Sequence, residues 1–377
     1  MKPFFQTLIR AANKRIIFPL EGRFVLVLKA FSDREKQVFF TAMGVLVGTT
    51  IVLLVQVNNA FLVKVPARGG TLIEGILNTP AHINPLLSTG ETGSEADREL
   101  VALIYSGLLR SDGKGGYIND LAESYKISAD GLSYTFVLKK NLEWHDGKKI
   151  TADDVVFSVK TAQDNRFKSP KRASWDGVGV EKIDDLSVRF TLTKPYALFL
   201  SNATMGLLPA HIWSTIDYNR FDTNNYNREP IGSGPYKFSS VQTITKDGDV
   251  IPVSYTLTAF KNFALGEPYI KTIKTSFYRN EDDLVAALRA GDVEAINSIS
   301  PERAKILSES DYHVAHSALS RVLAVFFNQN QAPIFASSAV RKALALTADK
   351  QAIIDQALAG YGELLDSPLP PGTLGAK

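Results

Sequence analysis

The chain has 377 residues, 45% hydrophobic and 21% charged, with a formal net charge of +3 at pH 7. That is the balance of a globular protein with room for two or three domains, not of a disordered one. It contains no cysteine, which excludes disulfides, zinc–cysteine sites, thiol nucleophiles and a cysteine-linked lipid anchor.

The charge is unevenly spread. Residues 1–38 hold eight Lys or Arg against three acids, and the remainder is slightly acidic at −2. The body therefore offers no basic face that would predict a nucleic-acid partner. Residues 38–57, VFFTAMGVLVGTTIVLLVQV, run for twenty positions without a charge, enough for a helix to cross a hydrocarbon core of about 30 Å. The basic flank places its N-terminal side in the cytoplasm and everything after about Phe61 outside. Two readings fit this run. An uncleaved anchor is preferred, because the 37 residues before it and its own twenty are both long for a leader. A cleaved signal peptide is the alternative, with Val65 to Ala67 as a small-residue cleavage pattern. RIIFPLEGRFVLVLKAF (15–31) is apolar enough to lie along the inner membrane surface.

Further on, Thr71–Leu77 reads as a strand, and Pro80 and Pro85 bracket a loop. EADRELVALIYSGLLR (95–110) spaces Leu100, Leu103, Ile104 and Leu108 as a helix. Two hairpins are predicted, around Asp130-Gly131 and around Asp184-Asp185. Between them, NLEWHDGKKITADDVVFSVK (141–160) holds an Asp146-Gly147 turn and a helix start. Thr151 is its N-cap, Asp154 completes a capping box, and Val155, Val156, Val159 and Ala162 form a buried face. EPIGSGPYKF (229–238) is a tight glycine turn, through Gly232 and Gly234, into a strand. NEDDLVAALRAGDVEAINSI (280–299) predicts a helix, Gly291 as its C-cap and a short strand ending near Ile296. RVLAVFFNQN (321–330) is expected as a strand, SSAVRKALALTADKQAIIDQAL (337–358) as one amphipathic helix, and the last residues as loop.

His145 beside Asp146 invites a catalytic reading. Neighbours in a turn point their side chains apart, however, and no serine elbow, HExxH, Walker loop or GxGxxG occurs. The five histidines, 82, 145, 211, 313 and 316, are scattered. No catalytic residue, metal ligand or cofactor is assigned, and the 141–160 stretch is expected to be scaffold.

Five ordered motifs then coincide with one family: IYSGLLRSD, LAESYKISADGLSYTFVLKKNLEWHDGKKITADDVVFSVK, GSGPYKF, ALRAGDVEAI and FFNQNQAPIFASSAVRKALALTADKQAII. From about Gly69 onward the chain resembles the extracytoplasmic solute-binding proteins of family 5, the oligopeptide-, dipeptide- and nickel-binding proteins of ABC transporters. The resemblance implies a bilobed α/β fold of the periplasmic-binding-protein kind (class II, cluster C). In it a β-rich subdomain is inserted, and a transmembrane helix precedes the body. Lobe I would be 69–106 plus 213–305, the insert 107–212, and lobe II would start near 306. Family members run further, so the second lobe reads as incomplete and the chain as truncated at its C-terminus.

The implied function is capture of a solute, an oligopeptide first, for delivery to an ABC permease and its ATPase, by a monomer held to the bilayer. An anchored receptor read by a signalling partner is the alternative, and a hydrolase lacks any nucleophile–base pattern. Mapping by motif puts Glu91, Gly93 and Ser94 at the cleft, with Asn297, Ser298, Ser320 and Arg321. Arg321 is a candidate for a peptide carboxylate, equally readable as a surface arginine. Trp175 is either a cleft wall or an aromatic packed within the insert.

Overall fold

Ser32 opens the first helix, α1 (Asp33–Phe61), through a reciprocal cap. Its backbone and hydroxyl both donate to Glu35 Oε2, at 2.8 and 2.7 Å. The computed structural model describes residues 31–62, 67–88, 94–113, 115–196, 198–246, 248–315 and 322–365. They belong to two units, Met1–Pro66 and Ala67–Lys377. The surface-lying segment expected at 15–31 falls, except for Phe31, outside the described residues. The helix starts five residues before the apolar run, because the Ser32–Glu35 cap extends it. Its 29 residues make it long and apolar enough to cross a membrane. Three of its threonines spend their hydroxyls on their own helix: Thr41 on Gln37 O at 2.7 Å, Thr49 on Val45 O at 2.9 Å and Thr50 on Leu46 O at 2.7 Å. A hydroxyl satisfied in that way carries little desolvation cost into lipid.

The second unit is built on a mixed five-stranded sheet. Strand β1 (Gly69–Leu77) is followed by helix α2 (Glu95–Ile104). After the small β2 (Leu109–Ser111) and β3 (Tyr117–Asn119) come the hairpin strands β4 (Ala122–Ile127) and β5 (Ser133–Leu138). Helix α3 (Ala152–Gln163) and the single-turn α4 (Arg172–Trp175) precede β6 (Val178–Asp184) and β7 (Ser187–Leu192). The turns α5 (Phe199–Asn202) and α6 (Ala210–Trp213) lead to β8 (Tyr236–Lys246), β9 (Asp249–Ala259) and β10 (Ile270–Tyr278). Then come α7 (Glu281–Ala290), β11 (Ala295–Ile296) and α8 (Pro301–Ser308). The large sheet runs β11-β1-β10-β9-β8, with β1 parallel to both β10 and β11. A separate antiparallel sheet runs β4-β5-β7-β6.

Both predicted hairpins form, each with one strand, β5 or β7, whose alternate residues are buried. Phe136 and Phe190, diagonal neighbours on β5 and β7, meet edge to face at 5.7 Å. Trp175 at 5.7 Å and Phe199 at 5.5 Å from the Phe190 ring complete the aromatic centre of the core.

Three expectations need correction. The helix predicted over 95–110 stops at Ile104, because Tyr105 turns extended and the glycine turn meets the helix end. Gly234 N–H bonds the Ile104 carbonyl at 2.8 Å, and a Cβ on Gly232 would run into that oxygen. Leu108 is still buried, outside any helix. The strand expected at 321–330 is absent over 322–330: no described residue pairs with it, and an apolar alternation becomes a strand only against a partner. The single helix expected at 337–358 is two, α9 (Ser338–Thr347) and α10 (Lys350–Ala357), because Asp349 caps a new start by accepting the Ala352 N–H at 2.9 Å.

Candidate functional site

Helix α2 is fixed before anything near it can bind. Ser94, one of the mapped residues, is its N-cap: Ser94 N–H and hydroxyl donate to Asp97 Oδ2 at 2.8 Å each, and Asp97 N–H returns to Ser94 Oγ at 3.1 Å. The other oxygen of the buried Asp97 takes the N–H groups of Ala81 and His82, at 2.8 and 2.7 Å. One carboxylate thus joins the helix start to the proline-bracketed loop. Glu91 and Gly93 lie outside the described residues, as do Ser320 and Arg321.

Against the outer face of α2 lies a cavity of about 400 Å³. It is walled by Ser88, Arg98 and Tyr105 on one side and by Lys171, Trp175 and Met205 on the other. The two walls are pinned together. Ser169 Oγ donates to Leu86 O at 2.6 Å and accepts the Lys171 N–H at 3.2 Å, and Asn202 Nδ2 donates to Ser174 O at 2.6 Å. Trp175 combines both readings open at the sequence level. Its indole is buried against Phe190 and Phe199, its N–H goes to Met205 Sδ at 3.2 Å, and it also borders the cavity.

The chemistry of the wall is polar and cationic. Arg98 pairs with Glu95, one turn earlier. Burial pulls the Lys171 ammonium below its ordinary value and pushes the Tyr105 phenol up. Among the described residues the Tyr105 and Ser88 hydroxyls have no hydrogen-bond partner. Ser88, Arg98, Tyr105, Lys171 and Met205 were not singled out from sequence. The one signal was proximity: Lys171 stands four residues before Trp175.

Asn297 and Ser298 belong to a second cluster, after β11. Asn297 Nδ2 donates to Glu74 Oε1 at 3.1 Å, and the Asn297 amide also eases the charge on Glu99 of α2. Burial, with Glu74 and Glu95 nearby, pushes Glu99 up to about 7. Ser298 takes a positive φ of 53°, a local strain that lets the chain turn towards α8. The structure does not bring this cluster and Trp175 to one cavity.

His145 is scaffold of a specific kind. Its backbone N–H donates to Gly232 O at 2.9 Å, Gly232 N–H donates to Nδ1 at 3.3 Å, and Nε2 stands 3.1 Å from Gly234 O. A ring accepting at Nδ1 must carry its proton on Nε2 to meet the Gly234 carbonyl, so the neutral tautomer is the one held. Burial lowers its pKa to about 4 accordingly. Asp146 points elsewhere, its Oδ2 2.8 Å from His211 Nε2. Among the described residues no group of His, Asp and Glu has metal-site geometry.

A family model, bacterial extracellular solute-binding proteins, family 5, matches residues 116–377. The oligopeptide-binding protein AppA of Bacillus subtilis is 31% identical over 320 residues, 81% of this chain and 55% of that protein. Its solved structure in complex with a nonapeptide has a TM-score of 0.63 at 30% identity, covering 82% of this chain and 59% of that one. NikZ from Campylobacter jejuni, solved with Ni(L-His), has a TM-score of 0.61 at 28% identity, covering 79% and 57%. The mixed α/β fold expected from sequence agrees with these structures. The chain spans about half the length of the curated relatives it matches.

Proposed function

This chain belongs to the bacterial extracellular solute-binding proteins of family 5, and from that premise we propose that it captures a small solute, a peptide first, for an ABC importer. The observation that carries the reading is the cavity between α2 and the Lys171–Trp175 turn. Its volume falls in the range of small-ligand sites, about 300–1,000 Å³, and it joins an aromatic wall to a few polar groups. In this reading residues 69–106 and 213–305 form lobe I, 107–212 the insert, and the segment from 306 belongs to lobe II. Glu91, Gly93, Ser94, Ser320 and Arg321 would border the ligand cleft, and Asn297 and Ser298 would border it away from this cavity. Residues 38–57 would hold the protein in the bilayer with the N-terminus in the cytoplasm, and an ABC permease with its ATPase would receive the ligand. No catalytic step and no cofactor enter this scheme.

The direct test is ligand titration of the full chain in lipid nanodiscs, read by tryptophan fluorescence. Tri- to pentapeptide pools should give a saturable change that Trp175→Phe abolishes. A saturable change with nickel–histidine but not with peptides would move the ligand class. No saturable change with either would overturn capture at this cavity. Protease added to intact, wall-stripped cells tests the topology. It should remove the body and leave a small membrane-bound stub, and a protected body would overturn the orientation.

A further inference from the structure

Residues 62–68 are all that join α1 to β1. A chain of that length reaches at most about 25 Å, so a span at α1 keeps the start of β1 within that distance of the headgroups. The surface around the start of β1 is therefore the one that a bilayer would meet. Gly69 pairs there with Ile270, the first residue of β10, and its N–H donates to Tyr269 O at 2.7 Å. The connection from β9 to β10, residues 260–269, forms the rest of that end.

This connection is braced from several sides. Gly266 N–H donates to Phe263 O at 2.9 Å, Lys139 Nζ to Ala264 O at 3.1 Å and Asn262 Nδ2 to Glu143 Oε2 at 2.8 Å. Arg68 lies over the Tyr269 ring at 5.4 Å and pairs with Glu267 at 2.9 Å. Leu265 and Tyr269 nevertheless stay 42% and 54% exposed. The charge around them has one dominant sign. Arg68 and the segments 139–143 and 260–271 carry five cations, Arg68, Lys139, Lys140, Lys261 and Lys271, against the acids Glu143 and Glu267. Both acids are engaged, by Asn262 and Arg68. Lys140, Lys261 and Lys271 are exposed, and none pairs with a carboxylate among the described residues. Single exposed apolar residues are ordinary on a protein surface. An exposed leucine and tyrosine among free lysines, beside the join to a span, have the composition of an interfacial membrane contact: apolar groups enter the headgroup boundary and cations meet its phosphates.

We infer that the β9–β10 connection, with Lys140, Lys261 and Lys271, rests the body on an anionic phospholipid surface, Leu265 and Tyr269 entering the headgroup layer. This surface lies at the opposite end of β1 from Glu74 and Gly75, which pair with β11 just before Asn297. It shares no residue with the cavity beside α2. The inference rests on the reading of residues 38–57 as a span, and the experiment separates the two.

Because the chain has no cysteine, one fluorophore can be placed at a time. Leu265→Cys carries the probe, and Asp249→Cys is the control, since Asp249 begins β9 about 35 Å along that strand from the connection. Each full chain is set in nanodiscs of phosphatidylcholine alone or of an equimolar mixture with phosphatidylglycerol, both doped with nitroxide-labelled lipid. On the mixed discs the Leu265 probe should be quenched several-fold more than the Asp249 probe, and on phosphatidylcholine the excess should shrink. Lys140→Gln, Lys261→Gln and Lys271→Gln together should bring it down towards the control, because each lysine near an anionic surface strengthens the contact about fivefold. If the chain stays in the mixed discs and the two probes are quenched alike, the docking surface is overturned and the span stands. Equal excess on the two lipids overturns the anionic assignment. A Leu265 probe shielded from iodide in water but untouched by the lipid nitroxide means a protein partner, and overturns the lipid one. A chain that washes out of the discs overturns the span reading, and the inference with it.

Discussion

The antiparallel sheet of residues 122–192 and the segment 322–365 are both written in alternating or helical apolar patterns, yet their packing is opposite. In the sheet, Phe136, Val188 and Phe190 are fully buried. In the later segment, Leu323, Val325 and Phe326 are 76, 81 and 92% exposed, and of the helical residues only Ile354 is buried. The difference is closure. Each hairpin of the sheet supplies its own partner strand within a few residues, and helix α3 then covers one face. The segment from 322 has the pattern without a partner among the described residues, and pattern alone buries nothing.

The sharpest test of that contrast is a pair of phenylalanines. Phe190→Ala should cost about 3–5 kcal/mol, since it empties the centre of an aromatic cluster. Phe326→Ala should stay within about 0.5 kcal/mol, as for an exposed site. Urea denaturation followed by tryptophan fluorescence measures both. A large cost at Phe326 would mean that the segment does pack, and the contrast would fail.

A second test asks how tightly the sheet region and the α2 region are joined. Gly232 lies against the Ile104 carbonyl, a backbone atom that cannot swing aside. Gly232→Ala should therefore cost about 3 kcal/mol, the upper part of the range for overpacking. The thermal midpoint should fall, whereas alanine at Gly44, with nothing near its Cβ position, should meet no clash.

These contacts show what could be read from sequence and what could not. Asp130-Gly131 and Asp184-Asp185 are local signals, and their hairpins followed. So did the α7 helix with Gly291, whose φ is 79°, as its left-handed cap. The pairing of Gly69 with Ile270 was not legible, because nothing in either strand names a partner two hundred residues away. The cavity was illegible for the same reason: its walls come from 85–105, 171–175 and 201–206, and a lysine in a polar loop looks like any surface lysine. Tyr105 had been counted into a helix that ends one residue before it.

The third test is the pH dependence of the joint made by His145. Its folded pKa of about 4 lies below the ordinary 6.5, so the unfolded chain takes up the proton more readily. The contribution is whole above about pH 6.5 and is lost as the pH falls towards 4, by up to about 3 kcal/mol. Glu99 acts in the opposite direction. Raised from 4.5 to about 7, it favours the fold at low pH and loses that contribution as the pH rises through the same window. The wild-type profile should thus be flatter than either group alone would make it. Glu99→Gln should steepen the loss on acidification, and His145→Gln should remove it. Urea midpoints at several values between pH 4 and 7 decide the matter. A His145→Gln profile parallel to wild type would show that the imidazole is not held neutral.

The smallest effects separate the two halves of the α3 cap, where the helix joins the sheet to the rest of the unit. Asp154 is buried, and its two oxygens serve two segments: Oδ2 accepts the Thr151 N–H at 2.9 Å and Oδ1 the Ala210 N–H at 2.9 Å. Removing it strands two backbone donors, so Asp154→Ala should cost about 2 kcal/mol. Thr151 is replaceable by comparison. The Asp154 N–H already reaches the Thr151 carbonyl at 3.1 Å, a contact that any residue at 151 retains. Thr151→Ala should cost at most about 1 kcal/mol. The order of the two substitutions is the test, because a cap read only from its first residue predicts the reverse. If Thr151→Ala proved the more damaging, the helix would depend on its local start. If Asp154→Ala does, α3 is held mainly by the contact it shares with the segment entering α6, and the closure that buries the sheet extends through that one carboxylate.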